Sequence, residues 1–123
     1  MDVFYSPYLN FLRRTVEHLP AVTEKLCFET PAFYVNDKLF ARVKEDGKTL
    51  VINTEERDKW IEEDPDTFYI TDHYLKSKYM LISLSSVKQV TLKELLTQAW
   101  KNRAPKKLLK LFEEIEVFGK DNE

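Results

Sequence analysis

Cysteine and glycine are nearly missing from this 123-residue chain, which has one of the first and two of the second. A single cysteine, Cys27, excludes an internal disulfide and a multi-cysteine metal site. So few glycines leave no phosphate loop to be read. No run of roughly 18 apolar residues occurs, which excludes a membrane-spanning helix. The opening MDVFYSPYLN lacks a basic region followed by an apolar one, so no secretory signal is expected. A reducing, cytoplasmic setting is the simplest expectation, with Cys27, between Leu26 and Phe28, as a small buried side chain and not a reactive thiol.

What the chain does have is an ordinary globular composition, 43% hydrophobic and 33% charged with 16 aromatics. That suffices for one core and one domain over 1–123, with its body at about 6–116 and a polar tail after it. The net charge of -2 is unevenly laid out. Residues 1–53 net zero, 54–72 net -6, 73–110 net +8 and 111–123 net -4. A strongly basic block therefore lies between two acidic ones, an asymmetry that points to an anionic partner.

Ser6 as N-cap and Pro7 at the first helical position predict a helix carrying Leu9, Leu12, Val16 and Leu19 and stopped by Pro20. A strand-rich section follows. EKLCFET reads as one extended run ending at Pro31, and AFYV turns at Asn36-Asp37 into KLFARVKE. Asp46-Gly47 marks a tight hairpin, with TLVIN as the return strand. In KLFARVK, alternation sets Leu39, Ala41 and Val43 on a covered face and Lys38, Arg42 and Lys44 on a wet one. TEERDKWIEED is a short acidic helix capped by Thr54, docked through Trp60 and Ile61 and ended at Asp64-Pro65.

TFYIT and KYMLISL are the last strands, joined by the polar loop DHYLKS. Thr91 and Glu94 read as a capping box opening a helix whose apolar face is Leu92, Leu95, Leu96, Ala99 and Trp100. Pro105 breaks it. A fourth helix sets Leu108, Leu111, Phe112 and Ile115 on one side and runs out in GKDNE. The order α-β-β-β-β-α-β-β-α-α describes a two-layer α+β domain, an antiparallel sheet with helices packed mainly on one face.

Three blocks carry a family resemblance. LPAVTEKLCFETPAFYVNDKLFARV resembles the opening of the MmcQ/YjbR-like family. PDTFYITDHYLKSKYMLISL is similar to its central block, and TLKELLTQAWKNRAPKKL to its final helix. The match spans roughly residues 10–112. It implies a fold similar to small two-layer proteins of the secretion-chaperone type, and DNA binding through projecting β wings. It brings no catalytic residues. Tyr79 stands where many relatives have tryptophan.

His73, between Asp72 and Tyr74, has the look of a catalytic histidine. A histidine base needs an orienting partner, and neighbours on an extended segment point to opposite faces. Its expected role is structural, hydrogen-bonding the loop backbone. The other histidine, His18, lies on the first helix, so no metal pair is expected. Trp60, Tyr69, His73, Tyr74 and Tyr79 could line a pocket for a planar ligand, against the plainer reading of aromatics in a small core. The acids of EERDKWIEEDPD lack a calcium loop's glycine and spacing and read as a solvated helix.

WKNRAPKKLLK holds Lys101, Arg103, Lys106, Lys107 and Lys110 with no acid among them. Together with Lys76 and Lys78 these form the candidate contact set for a phosphate backbone. The competing readings are a helix end opposing its own dipole, or pairing with Glu113, Glu114 and Glu116. The expectation is a non-enzymatic domain without cofactor or metal, binding DNA weakly and with little sequence preference. The alternatives are a protein- or small-ligand-binding module, or self-association as a weak dimer through the acidic 54–72 helix.

Overall fold

The computed structural model describes residues 3–121. Its sheet follows the strand order β1-β2-β3-β4-β6-β5, antiparallel throughout. The strands are β1 (Val22–Cys27), β2 (Thr30–Val35), β3 (Lys38–Val43), β4 (Thr49–Asn53), β5 (Phe68–Tyr69) and β6 (Tyr79–Ser83). The α-helices are α1 (Leu9–Val16), α2 (Arg57–Glu63), α3 (Gln89–Arg103) and α4 (Lys106–Asp121). No helix among the described residues is long and apolar enough to cross a membrane.

The core lies between one face of the sheet and the helices α1 and α3. Leu9, Leu12 and Val16 of α1 and Leu92, Leu95, Leu96, Ala99 and Trp100 of α3 meet Phe33, Val35, Ala41, Val43, Leu50, Ile52, Met80 and Ile82. These are alternate strand residues, as a one-sided sheet requires. The two-layer α+β architecture is therefore as the sequence implied.

One bulge alters the inventory. The β2–β3 register slips between Phe33 and Tyr34, so that Phe33 opposes Ala41 while Tyr34 opposes Leu39. The extra residue, Phe40, joins Ala41 in the core in place of the expected Leu39. The expected wet face is also partly closed. Ala32, Arg42, Val51 and Leu81 form one cross-strand row, and all four are buried. Arg42 Nη1 donates to Thr30 Oγ1 at 2.7 Å and pairs with Glu45 at 3.2 Å, and its guanidinium lies 5.4 Å from the Phe28 ring centre. Tyr79 Oη reaches across β4 to donate to the Leu39 carbonyl at 2.9 Å, laying its ring over the sheet.

The run EKLCFET is not one strand. It folds back at Phe28-Glu29, which take φ of 51° and 67°, as Asn36 and Asp37 do at 52° and 60° in the next hairpin. The Asn-Asp turn is legible because those residues tolerate the left-handed region, whereas Phe-Glu carries no such signal. Cys27, at the end of β1, is only half-buried, because β1 is an edge strand exposed along most of its length. Both face and edge are open there, so the expected burial fails.

Helix starts also differ from their sequence signals. The structure begins α3 at Gln89, two residues before Thr91, and the Thr91–Glu94 box is not used. Thr54 accepts from the Glu56 amide at 3.1 Å in the turn before α2 and does not cap the helix itself. Ser6 sits in the turn before α1, accepting from the Tyr8 amide at 3.2 Å. Its hydroxyl donates to the Gly47 carbonyl at 2.6 Å, which ties the N-terminal segment to the β3–β4 hairpin. Gly47 has φ +68°, and a Cβ there would lie 3.3 Å from Ser6 Cβ, so both conformation and space favour glycine. The fourth helix does not end at the expected polar tail but continues through Asp121; Asn122 and Glu123 lie outside the described residues.

The same hairpin carries a pH-dependent lock. Burial alone would raise the Asp46 pKa, but the Lys48 and Thr49 amides and the Thr49 hydroxyl, bonded at 2.8, 3.0 and 2.8 Å, hold it below the ordinary carboxylate value. A carboxyl with a depressed folded pKa stabilises the fold above its unfolded pKa and loses that contribution as pH falls through the folded value. Asp46→Ala should therefore lower the melting temperature at neutral pH. The gap to wild type should narrow as pH drops below about 3.9, the ordinary carboxylate value. Thermal scans across that range check it, and a gap independent of pH would show that the carboxylate charge is not what holds the turn.

Candidate functional site

The loop that holds His73 is a short 3-10 turn, Asp72–Tyr74, and not an extended segment. Its organiser is Arg57 of α2, whose guanidinium donates to the Tyr74 carbonyl at 2.7 Å, the Tyr79 carbonyl at 3.2 Å and the Leu75 carbonyl. Ser77 adds a bond from its hydroxyl to the Tyr74 carbonyl at 2.8 Å. The backbone-holding role expected of His73 thus falls to Arg57 and Ser77. His73 is exposed; its ring stands edge-on to Tyr74 at 4.8 Å, and it has no hydrogen bond among the described residues.

The other aromatics of the candidate pocket are spread out. Trp60 packs on Phe68 at 5.4 Å and against the main core, with Lys59 Nζ 5.0 Å over its ring. Tyr79 spans the opposite sheet face, and Tyr69 sits half-buried on the edge strand β5, opposite Leu81. These rings are engaged in packing on two sides of the sheet.

The basic residues divide into groups. At one end of the sheet, Asn102 Nδ2 donates to Asn53 Oδ1 at 3.3 Å and the Thr54 amide to the Lys78 carbonyl at 2.8 Å. Lys78 and the end of α3 with Arg103 therefore meet there, but Lys78 is paired with Glu55 at 3.2 Å, on the approach to acidic α2. Lys76 is exposed in the same loop. Arg103 is half-buried, and its Nε is enclosed without a hydrogen-bond partner among the described residues. Lys106, Lys107 and Lys110 are exposed on the first turns of α4. The competing reading, pairing with Glu113, Glu114 and Glu116, finds no support, since no ion pair among the described residues involves them.

Lys101 belongs to a different feature. It lies with Nζ 5.3 Å over the Phe112 ring, in a groove where α1, α3 and α4 meet. One hollow of about 280 Å³ includes His18, Lys93, Lys101 and Glu116 in its walls. A second of about 270 Å³ adds Phe11 and Arg14 and shares Thr15, His18 and Lys93 with the first. Three cations and a histidine line the two hollows with a single acid, and Lys93 Nζ lies 5.9 Å from the Phe11 ring. A furrow so lined attracts anions and can seat them against half-buried aromatic and threonine surfaces.

Arg14 and His18 lie outside the basic block read from the sequence, and Lys93, though within it, was not among the candidate contacts, because charge counting along the chain does not join separate helices. Helical spacing does carry part of the signal. Lys93, Thr97 and Lys101 are four apart on α3 and so lie on one face, while Arg14 is on α1 and His18 is in the turn just after it.

Comparison with known proteins agrees with this fold. The YjbR family matches residues 17–102, more than half of the chain. No curated protein matches the sequence. Among solved structures, the crystal structure of Deinococcus radiodurans protein DR2400, a DUF419 domain, superposes with a TM-score of 0.70 at 22% identity, covering 85% of this chain and 87% of that one. At that identity the likeness speaks for the fold alone.

Proposed function

The chain belongs to the YjbR family, and from that premise we propose that it is a non-enzymatic domain that binds nucleic acid by its phosphate backbone. The observation that carries this reading is the groove of Arg14, His18, Lys93 and Lys101, with the exposed Lys106, Lys107 and Lys110 on the adjoining helix. Lys76 and Lys78 contribute less, because Glu55 and the acids of α2 offset them. The cations are mostly lysines, point charges without the fork that reads base edges, so contacts fall on phosphate and sequence preference is slight.

Binding of about 10⁻⁴ to 10⁻⁶ M at physiological salt is expected for such contacts. A fluorescent duplex titrated at about 50 and about 200 mM salt tests it, with wild type, Arg14→Glu/Lys93→Glu and Lys106→Glu/Lys107→Glu. Both double variants should weaken binding, and each lost contact should reduce the slope of log affinity against log salt by about one unit. No binding by wild type at the lower salt, or binding that ignores both substitutions, would overturn the proposal.

A further inference from the structure

Cations are not the whole lining of the groove between α1, α3 and α4. Thr15 Oγ1 donates to the Phe11 carbonyl at 2.8 Å, and Thr97 Oγ1 to the Lys93 carbonyl at 2.9 Å. Both hydroxyls spend their protons on their own helices, so what they offer the groove is acceptor oxygen. Glu116 adds a carboxylate to the wall of the same hollow. Acceptors repel a phosphate, but they suit the amino groups on the edge of a base.

The aromatic rings point the same way. Phe112 is buried against Trp100 and forms part of the wall of the first hollow. Phe11 is only half-buried and lines the second hollow with Arg14 and Lys93. Lys93 Nζ stands 5.9 Å from the Phe11 ring centre, at the outer limit of a cation–π contact, so the ammonium is readily drawn from the ring to an anion. A half-open ring between two cations offers a base its π-face and the neighbouring phosphates their counter-charge.

In a duplex the bases are stacked on each other and their pairing edges are closed. Proteins that read a duplex project an element into a groove about 12 Å wide. Here the relief is reversed, a furrow of two adjoining hollows of about 280 and 270 Å³ that share Thr15, His18 and Lys93. We infer that the groove takes an unpaired strand, which rests on the nucleic-acid reading above and narrows it to single-stranded segments. One base lies on Phe11, base amino groups meet Thr15, Thr97 and Glu116, and the flanking phosphates are held by Arg14, Lys93 and Lys101.

The test compares one fluorescent strand, alone and annealed to its complement, at matched salt. The single strand should bind about tenfold more tightly than the duplex, the worth of one base stacked on a ring. Phe11→Leu keeps an apolar side chain against the core and removes the π-face. It should erase the single-strand advantage and leave duplex affinity unchanged, whereas a damaged fold would weaken both. Phe11→Trp should keep the advantage. Stacking carries no charge, so Phe11→Leu should lower single-strand affinity by the same factor at every salt. Lys93→Gln should instead flatten the slope of log affinity against log salt by about 0.7 unit. A ribo-oligomer of the same sequence, run in parallel, tells RNA from DNA as the source of the strand.

A duplex bound as tightly as the single strand overturns the inference and leaves the phosphate-backbone reading standing. Failure of both forms to bind at about 50 mM salt overturns that reading, and this one with it. A single-strand preference that survives Phe11→Leu, or is lost in Phe11→Trp, overturns the assignment to this groove, as does an unchanged salt slope for Lys93→Gln.

Discussion

Trp100→Ala is expected to cost about 3–5 kcal/mol, as the largest core truncations do. Trp100 is fully buried at 0% exposure, the largest such side chain in the protein. Two features place it toward the upper end. Its Nε1 donates to the Pro20 carbonyl at 3.0 Å, which fixes the exit of the segment after α1 against α3. Its ring also packs on Phe112, the residue that seats α4. The alanine variant therefore opens a cavity, orphans a carbonyl and loosens two helices at once. Trp100→Phe separates these effects. It keeps most of the packing and loses the hydrogen bond, for which about 1–3 kcal/mol is expected. Urea denaturation of the three proteins decides the matter; a loss below about 1 kcal/mol for alanine would contradict a core role and make the indole a surface available for binding.

The Trp100 expectation came directly from the sequence, because a helical stripe of five apolar residues admits one buried face. The same logic served the Asn36-Asp37 and Asp46-Gly47 hairpins, whose residues announce the backbone they adopt. It failed where conformation is imposed by tertiary contact. Phe28-Glu29 takes positive φ because β1 and β2 must pair, and nothing in those two side chains says so. The bulge at Phe40 swaps which residue of β3 faces the helices, a one-residue event invisible to alternation. Thr91 and Glu94 satisfy a capping pattern, yet α3 starts earlier and leaves it unused. The site was legible only in part. Runs of like charge along the chain flagged Lys106, Lys107 and Lys110. The α1–α3 groove required knowing that the two helices lie side by side, and the acids that offset Lys78 required knowing that α2 lies beside its loop.

Arg57 is the residue that sequence reading most undervalued, since it looks like a stray cation in an acidic helix. In the structure it fastens the 72–78 segment through carbonyls of Tyr74, Leu75 and Tyr79, while α2 itself docks through Trp60 on Phe68. Hydrogen bonds to a charged group contribute about 1.5–3 kcal/mol, and these share one guanidinium and one half-buried site, so they do not add fully. Arg57→Ala is expected to cost about 2–3 kcal/mol, chiefly by leaving carbonyls unpaired. Lysine should not restore the loss, because a single ammonium cannot present the planar fork that meets three acceptors at once. Amide exchange gives the sharper test. Protection should fall across the 72–79 segment and the start of β6, while the amides of β2, β3 and β4 keep their wild-type rates, since local opening draws on local contacts. A uniform loss of protection would mean that Arg57 supports the whole fold, and an unchanged pattern would mean that the loop is held by Ser77 and the Asp72–Tyr74 turn alone.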